Sequence, residues 1–135
     1  MKFLVDANVL CEPTKPQCVQ KAVDWLRANV VDCVADAVVV GEIWRGIDRL
    51  PAGRKRTNLE AWFAGLRTRV HSLDWTPDVA IVWGGLINEI QRSGFTVGLK
   101  DTMIAATAKL HGLTVATRNV DDFTRCGVEV VNPFE

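Results

Sequence analysis

Three apolar residues, Phe3-Leu4-Val5, run straight into Asp6, Ala7 and Asn8, and a second apolar run, Leu113 to Thr117, ends as abruptly in Arg118 and Asn119. Short apolar runs without polar alternation read as strands buried on both faces, the kind that parallel sheets use when helices cover them. A chain with such strands is narrowed to alternating β and α elements, and the segments between them bear this out.

Lys2 to Val5 is the first predicted strand. Pro16 to Asn29 places Val19, Val23 and Leu26 at helical spacing, with Pro16 suited to a first turn. A weak strand is expected near Val30 to Val34. Val40, Ile43, Trp44, Ile47 and Leu50 then follow a helical period with Glu42 on its flank, until Pro51 and Gly53 break it. A further helix over about Thr57 to Arg67 would complete a helical hairpin. His71 to Trp75 tolerates a strand, and Thr76-Pro77-Asp78 opens a helix whose apolar face is Val79, Val82, Trp83, Leu86, Ile87 and Ile90. Asp101 to His111 is a small-residue helix stopped by Gly112, and Val128 to Val131 is the last expected strand. Strands alternating with helices argue an α/β sandwich around a mainly parallel sheet, in one domain over residues 1–135.

At 135 residues and 48% hydrophobic, the chain is long enough to bury one substantial core. Sixteen basic residues balance sixteen acidic ones, so net charge argues for neither nucleic acid nor membrane. The distribution says more. Between Ile43 and Val70, Arg45, Arg49, Arg54, Lys55, Arg56, Arg67 and Arg69 face only Asp48 and Glu60, which makes the predicted hairpin a positive region. The four cysteines form no CxxC pair, and the two histidines have no zinc-finger spacing, which argues against zinc. No signal-peptide pattern and no apolar run near membrane length occurs, so a cytoplasmic protein with reduced thiols is expected.

Ligands of open parallel sheets gather outside the carboxyl ends of the strands, where Asp6 and Asn119 stand. Asp101 can reach that edge from a helix start, and Glu42 joins them if its helix packs beside the first strand. Carboxylates without Cys or His form a hard oxygen site for Mg²⁺ or Mn²⁺. Such ions serve phosphodiester hydrolysis by polarising the phosphoryl group and activating water. Each residue also has a structural explanation: Asp101 as a helix cap, Glu42 on a solvated face, Asp6 in a turn with Asn8.

The segments "LVDANVLCEP", "VVVGEIWRGI", "KDTMIAATAKLHGLTVATRNVDDF" and "GVEVVNPF" resemble the PIN-domain toxins of the VapC and FitB type over nearly the whole chain. The resemblance implies a PIN-like three-layer sandwich. It also implies a metal-dependent ribonuclease, the toxin of a toxin–antitoxin pair, held inactive by a small cognate antitoxin whose tail lies across the site. Asp6, Glu42 and Asp101 match the family's first three acidic ligands, Asn8 the polar residue after the first, and Thr117 the hydroxyl closing the strand before the fourth. That fourth position, acidic in several relatives, is Asn119 here. An amide oxygen brings no charge, so one Mg²⁺ is expected at Asp6 and Asp101 with Glu42 direct or through water, with Mn²⁺ substituting and any second ion held weakly. Asp121 or Asp122 can compensate, unless they cap the turn before Phe123. The implied reaction is in-line attack of water on RNA, with the metal supplying the activation and no covalent enzyme intermediate. Arg45, Arg49, Arg54, Lys55 and Arg56 then become candidates for the RNA backbone. Trp44 and Trp62 fit core or subunit contacts better than base stacking, and homodimers, or larger assemblies with antitoxin, are implied.

Two rivals stand beside this reading. An aspartyl phosphotransferase also ends its first strand in an Asp nucleophile, but wants a second Asp where this chain has Asn8. A catalytically weakened PIN-like module would bind RNA or antitoxin without cleavage, and Asn119 motivates it.

Overall fold

The computed structural model describes all 135 residues. Five strands form one sheet in which every pairing is parallel: β1 (Phe3–Val5), β2 (Cys33–Asp36), β3 (His71–Leu73), β4 (Thr114–Ala116) and β5 (Val130–Val131). Their spatial order is β3-β2-β1-β4-β5. The chain therefore builds outward from β1 in one direction and then returns to build in the other, which makes the β1/β4 boundary the switch point. In open α/β sheets that boundary opens a crevice beyond the strand ends. The two apolar runs singled out in the sequence are the two strands that flank it.

Seven helices cover the sheet: α1 (Ala7–Leu10), α2 (Gln20–Asn29), α3 (Ala37–Asp48), α4 (Arg54–Arg69), α5 (Pro77–Ser93), α6 (Leu99–His111) and α7 (Val120–Arg125). Their apolar faces meet the strands in a single core that includes Leu4, Val5, Val34, Val39, Ile43, Ile104, Val115 and Phe123. The architecture is the expected three-layer sandwich, with the sheet wholly parallel.

Helix boundaries follow local chemistry. α5 starts as predicted: Thr76 Oγ1 accepts from the Val79 N–H at 3.3 Å and Pro77 occupies the first turn. It ends at Gly94 and α6 ends at Gly112, both at positive φ (75° and 65°), where a side chain would be strained. Other boundaries differ from the sequence reading. α2 begins at Gln20, and Pro16 lies in the preceding turn. Residues Val30–Asp32 form a 3₁₀ turn, so β2 starts three residues later than the weak strand expected there. α3 starts at Ala37 because Asp36 caps it, and its buried face is Val39, Ile43 and Ile47, while Trp44 is partly exposed against Phe63. α4 runs a turn further N-terminal than expected, from Arg54.

Candidate active site

Asp6 leaves β1 at the switch point and is buried at 2% exposure. Its Oδ1 accepts from the Ala7 N–H at 2.8 Å, which starts α1, and its Oδ2 accepts from Thr117 Oγ1 at 2.7 Å and Asn8 Nδ2 at 3.2 Å. A carboxylate has about four lone-pair positions. Three are used within the chain, so Asp6 is held rigidly with one direction left on Oδ1. Burial raises its pKa, partly offset by the Thr117 hydrogen bond.

Thr117, fully buried at the end of β4, is the hub of this corner. Besides donating to Asp6, its hydroxyl oxygen accepts from the Asn119 N–H at 3.0 Å and lies 3.4 Å from Asn8 Nδ2. Asn8 closes the circuit, its Oδ1 accepting from the Arg118 N–H at 3.2 Å. Both strands of the switch point are thus tied across their ends by side chains.

Asp101 stands in the first turn of α6, which is capped by the backbone of Gly98. The helix-cap explanation for Asp101 therefore fails. The residue is 6% exposed, and its Oδ1 is buried without a hydrogen-bond partner. Burial first, then the charge of Asp6, push its pKa up to about 6. Glu42 reaches the same region from α3: its Oε1 is bound by the Lys100 ammonium, and its Oε2 is a second buried oxygen without a partner. Asp6, Glu42 and Asp101 lie near enough for their charges to act on one another: beyond burial, Glu42 adds to the rise in pKa at Asp6, and Asp6 and Glu42 add to the rise at Asp101.

The chemistry of this donor set fits a hard divalent cation: all oxygen, partly dehydrated, with unsatisfied carboxylate oxygens on two helices. As the side chains lie, they do not close into a ready ligand set of three; Lys100 stands among them instead.

Asn119 takes a different place from the other three. It is exposed at the N-cap of α7, and its side chain makes no capping bond. Asp121 and Asp122 lie in the first turn of that helix, Asp122 at 3.9 Å from Arg125 and close enough to act on Asp101. They flank an open polar cavity of about 370 Å³ with Arg118 and Asn119.

The positive region divides. Arg49, Arg54 and Lys55, with Lys15, line an open cleft of about 700 Å³. Gly46, one helical turn from Glu42 on α3, lines it too, which places one wall of the cleft a turn of helix from that carboxylate. Arg45 is exposed on α3. Arg56, by contrast, is committed internally: it donates to Glu60 at 2.7 Å, to Asp48 Oδ1 at 3.2 Å and to the carbonyls of Asp48 and Leu50 at 3.0 Å. It fastens the α3–α4 connection and has little left for a ligand.

Three residues near the site escaped the sequence reading. Asp36, at the end of β2, is 1% exposed and accepts from the Val39 N–H and Thr107 Oγ1, each at 2.8 Å. It locks α3, which carries Glu42, to α6, which carries Asp101. The Asp at the end of a short apolar stretch was a usable signal, the same one that marked Asp6. Glu12, 1% exposed, accepts from the Val19 N–H at 3.3 Å and pairs with Lys15 at 3.1 Å, holding the loop before α2. Lys100 was hidden inside a recognised motif.

The PIN domain family model matches residues 3–128, and the chain belongs to that family. Among individual relatives, the VapC ribonuclease Y4jK of Sinorhizobium fredii is 31% identical, covering 98% of each chain. The toxin FitB of Neisseria gonorrhoeae is 33% identical, again over 98% of both. The crystal structure of FitAcB from Neisseria gonorrhoeae superposes with a TM-score of 0.93 at 31% identity, covering 98% of this chain and 99% of that one.

Proposed function

We propose that this protein is a metal-dependent ribonuclease, the toxin of a toxin–antitoxin pair. The observation that carries the reading is Asp101: a buried carboxylate with an unpartnered oxygen, beside Asp6 at the switch point of a PIN domain whose relatives include VapC ribonucleases and the FitB toxin. A carboxylate kept at that cost in desolvation is explained by a cation or a reacting group that it serves.

Asp6 and Asp101, with Glu42, would hold Mg²⁺, or Mn²⁺ in its place; when bound, the ion supplies charge neutralisation at the phosphate and a lowered pKa for water. The residues of the chain do the positioning. Thr117 and Asn8 fix the Asp6 carboxylate in one orientation, and Asp36 sets the spacing of α3 and α6. The cleft of Lys15, Arg49, Arg54 and Lys55, with Arg45 nearby, offers the RNA backbone a positive path toward the carboxylates. Hydrolysis then proceeds by in-line attack of water on the phosphodiester, with no covalent enzyme intermediate.

The partners follow from the same reading: a cognate antitoxin, as in the FitAB complexes, and a second copy of the chain in a homodimer or a larger assembly with antitoxin. No helix is long and apolar enough to cross a membrane, and the four cysteines are unpaired, which supports a reducing compartment such as the cytoplasm.

The exposed Asn119 favours the alternative of a weakened module that binds without cleaving. One experiment separates the two: a mixed pool of structured RNAs incubated with antitoxin-free protein in Mg²⁺ or Mn²⁺, with chelator and Asp101→Asn controls. Metal-dependent cutting lost in the variant supports the nuclease; RNA binding without cutting in either metal supports the module.

A further inference from the structure

The cluster of Asp6, Glu42 and Asp101 contains a cation supplied by the chain itself. Lys100 precedes Asp101 in the first turn of α6, and its ammonium crosses to α3 to pair with Glu42 Oε1. Its charge acts on Asp6 and Asp101 as well. Three carboxylates facing one ammonium leave two uncompensated negative charges, the charge of one divalent ion. Asp122 also acts on Asp101, but its charge is offset by Arg125 at 3.9 Å, and Asn119 is neutral and exposed.

The unsatisfied atoms show where each cation belongs. Glu42 is engaged by the Lys100 ammonium on Oε1 and keeps only Oε2 free, whereas Asp101 makes no hydrogen bond through Oδ1 and has no ammonium paired to it, and Asp6 retains a free direction on Oδ1. We infer that Lys100 is the resident second cation of the site: it holds the Glu42 side, so the site takes a single divalent ion on the Asp6–Asp101 side. The inference rests on the metal-dependent reading above. An ammonium has three N–H donors, so Lys100 keeps two beyond the Glu42 bond for an anionic oxygen, and it needs no dehydration of a second metal to supply positive charge there.

The test counts ions and does not depend on cleavage. Mn²⁺ is titrated into the full chain purified free of antitoxin, and free Mn²⁺ is followed by electron paramagnetic resonance. One ion per chain is expected in the wild type and in Lys100→Arg, which keeps the charge, and two in Lys100→Met. Lys100→Gln is a second neutral variant should the Met substitution fail to fold. Two ions in the wild type, or one in the neutral variants, would overturn the inference and leave the metal-dependent reading standing. No bound ion in the wild type would overturn both.

Discussion

Thr117 Oγ1 donates a 2.7 Å hydrogen bond to Asp6 Oδ2, joining the ends of adjacent strands whose residues are 111 positions apart in sequence. The bond is buried, favours the charged form of Asp6 and fixes its orientation. Thr117→Val keeps the shape and removes the donor. It also leaves the Asn119 N–H without its acceptor. We expect a stability loss of about 1–3 kcal/mol by urea denaturation and a fall of roughly tenfold or more in cleavage rate, with Thr117→Ser restoring most of both.

Asp101 makes stability depend on pH with an unusual sign. Its folded pKa of about 6 lies above the ordinary carboxylate value, so between pH 4 and 6 the folded state binds more protons than the unfolded one. Metal-free protein should therefore lose stability as pH rises through that window, by on the order of 2 kcal/mol from this group. Asp101→Asn removes that component: the difference between variant and wild type, measured by denaturation in chelator, should grow from pH 4 to 6 and then level off. A divalent ion at a hundred times its Kd should restore about 2.7 kcal/mol to the wild type and little to the variant.

Asp36 both caps α3 and accepts the Thr107 hydroxyl. Asp36→Ala opens the start of α3 and leaves the buried Thr107 hydroxyl only its 3.5 Å contact with the Met103 carbonyl, at a cost of roughly 2–4 kcal/mol. Because α3 and α6 carry Glu42 and Asp101, Mn²⁺ affinity should fall as well. Asp36→Asn, which keeps an acceptor for the Val39 N–H, should lose less of each; equal losses in the two variants would argue against the double role.

The basic residues should separate into two groups. In a non-cleaving Asp101→Asn background, replacing Arg54 and Lys55 by Ala should flatten the dependence of RNA affinity on log salt by about 1.4 for the pair. Arg56→Ala should change that slope little, but should speed amide exchange through the α3–α4 connection, since its guanidinium holds the carbonyls of Asp48 and Leu50. A slope change from Arg56 as large as that from its neighbours would contradict its internal role.

Sequence alone determined the elements whose signals are local. The apolar runs ending in Asp6 and Thr117 specified buried parallel strands, and Thr76-Pro77 and Gly112 specified helix ends, because backbone conformation at those points depends on the residue itself. The order of motifs also indicated that Asp6, Glu42 and Asp101 belong together. Tertiary structure decided what those residues meet. The exposure of Asn119, the internal ties of Arg56, the Asp36–Thr107 lock and the Lys100–Glu42 pair each depend on which helices pack together, and the linked side chains are up to 71 residues apart. A side chain's local neighbours set its backbone, but its hydrogen-bond and charge partners are chosen only when distant elements share one core.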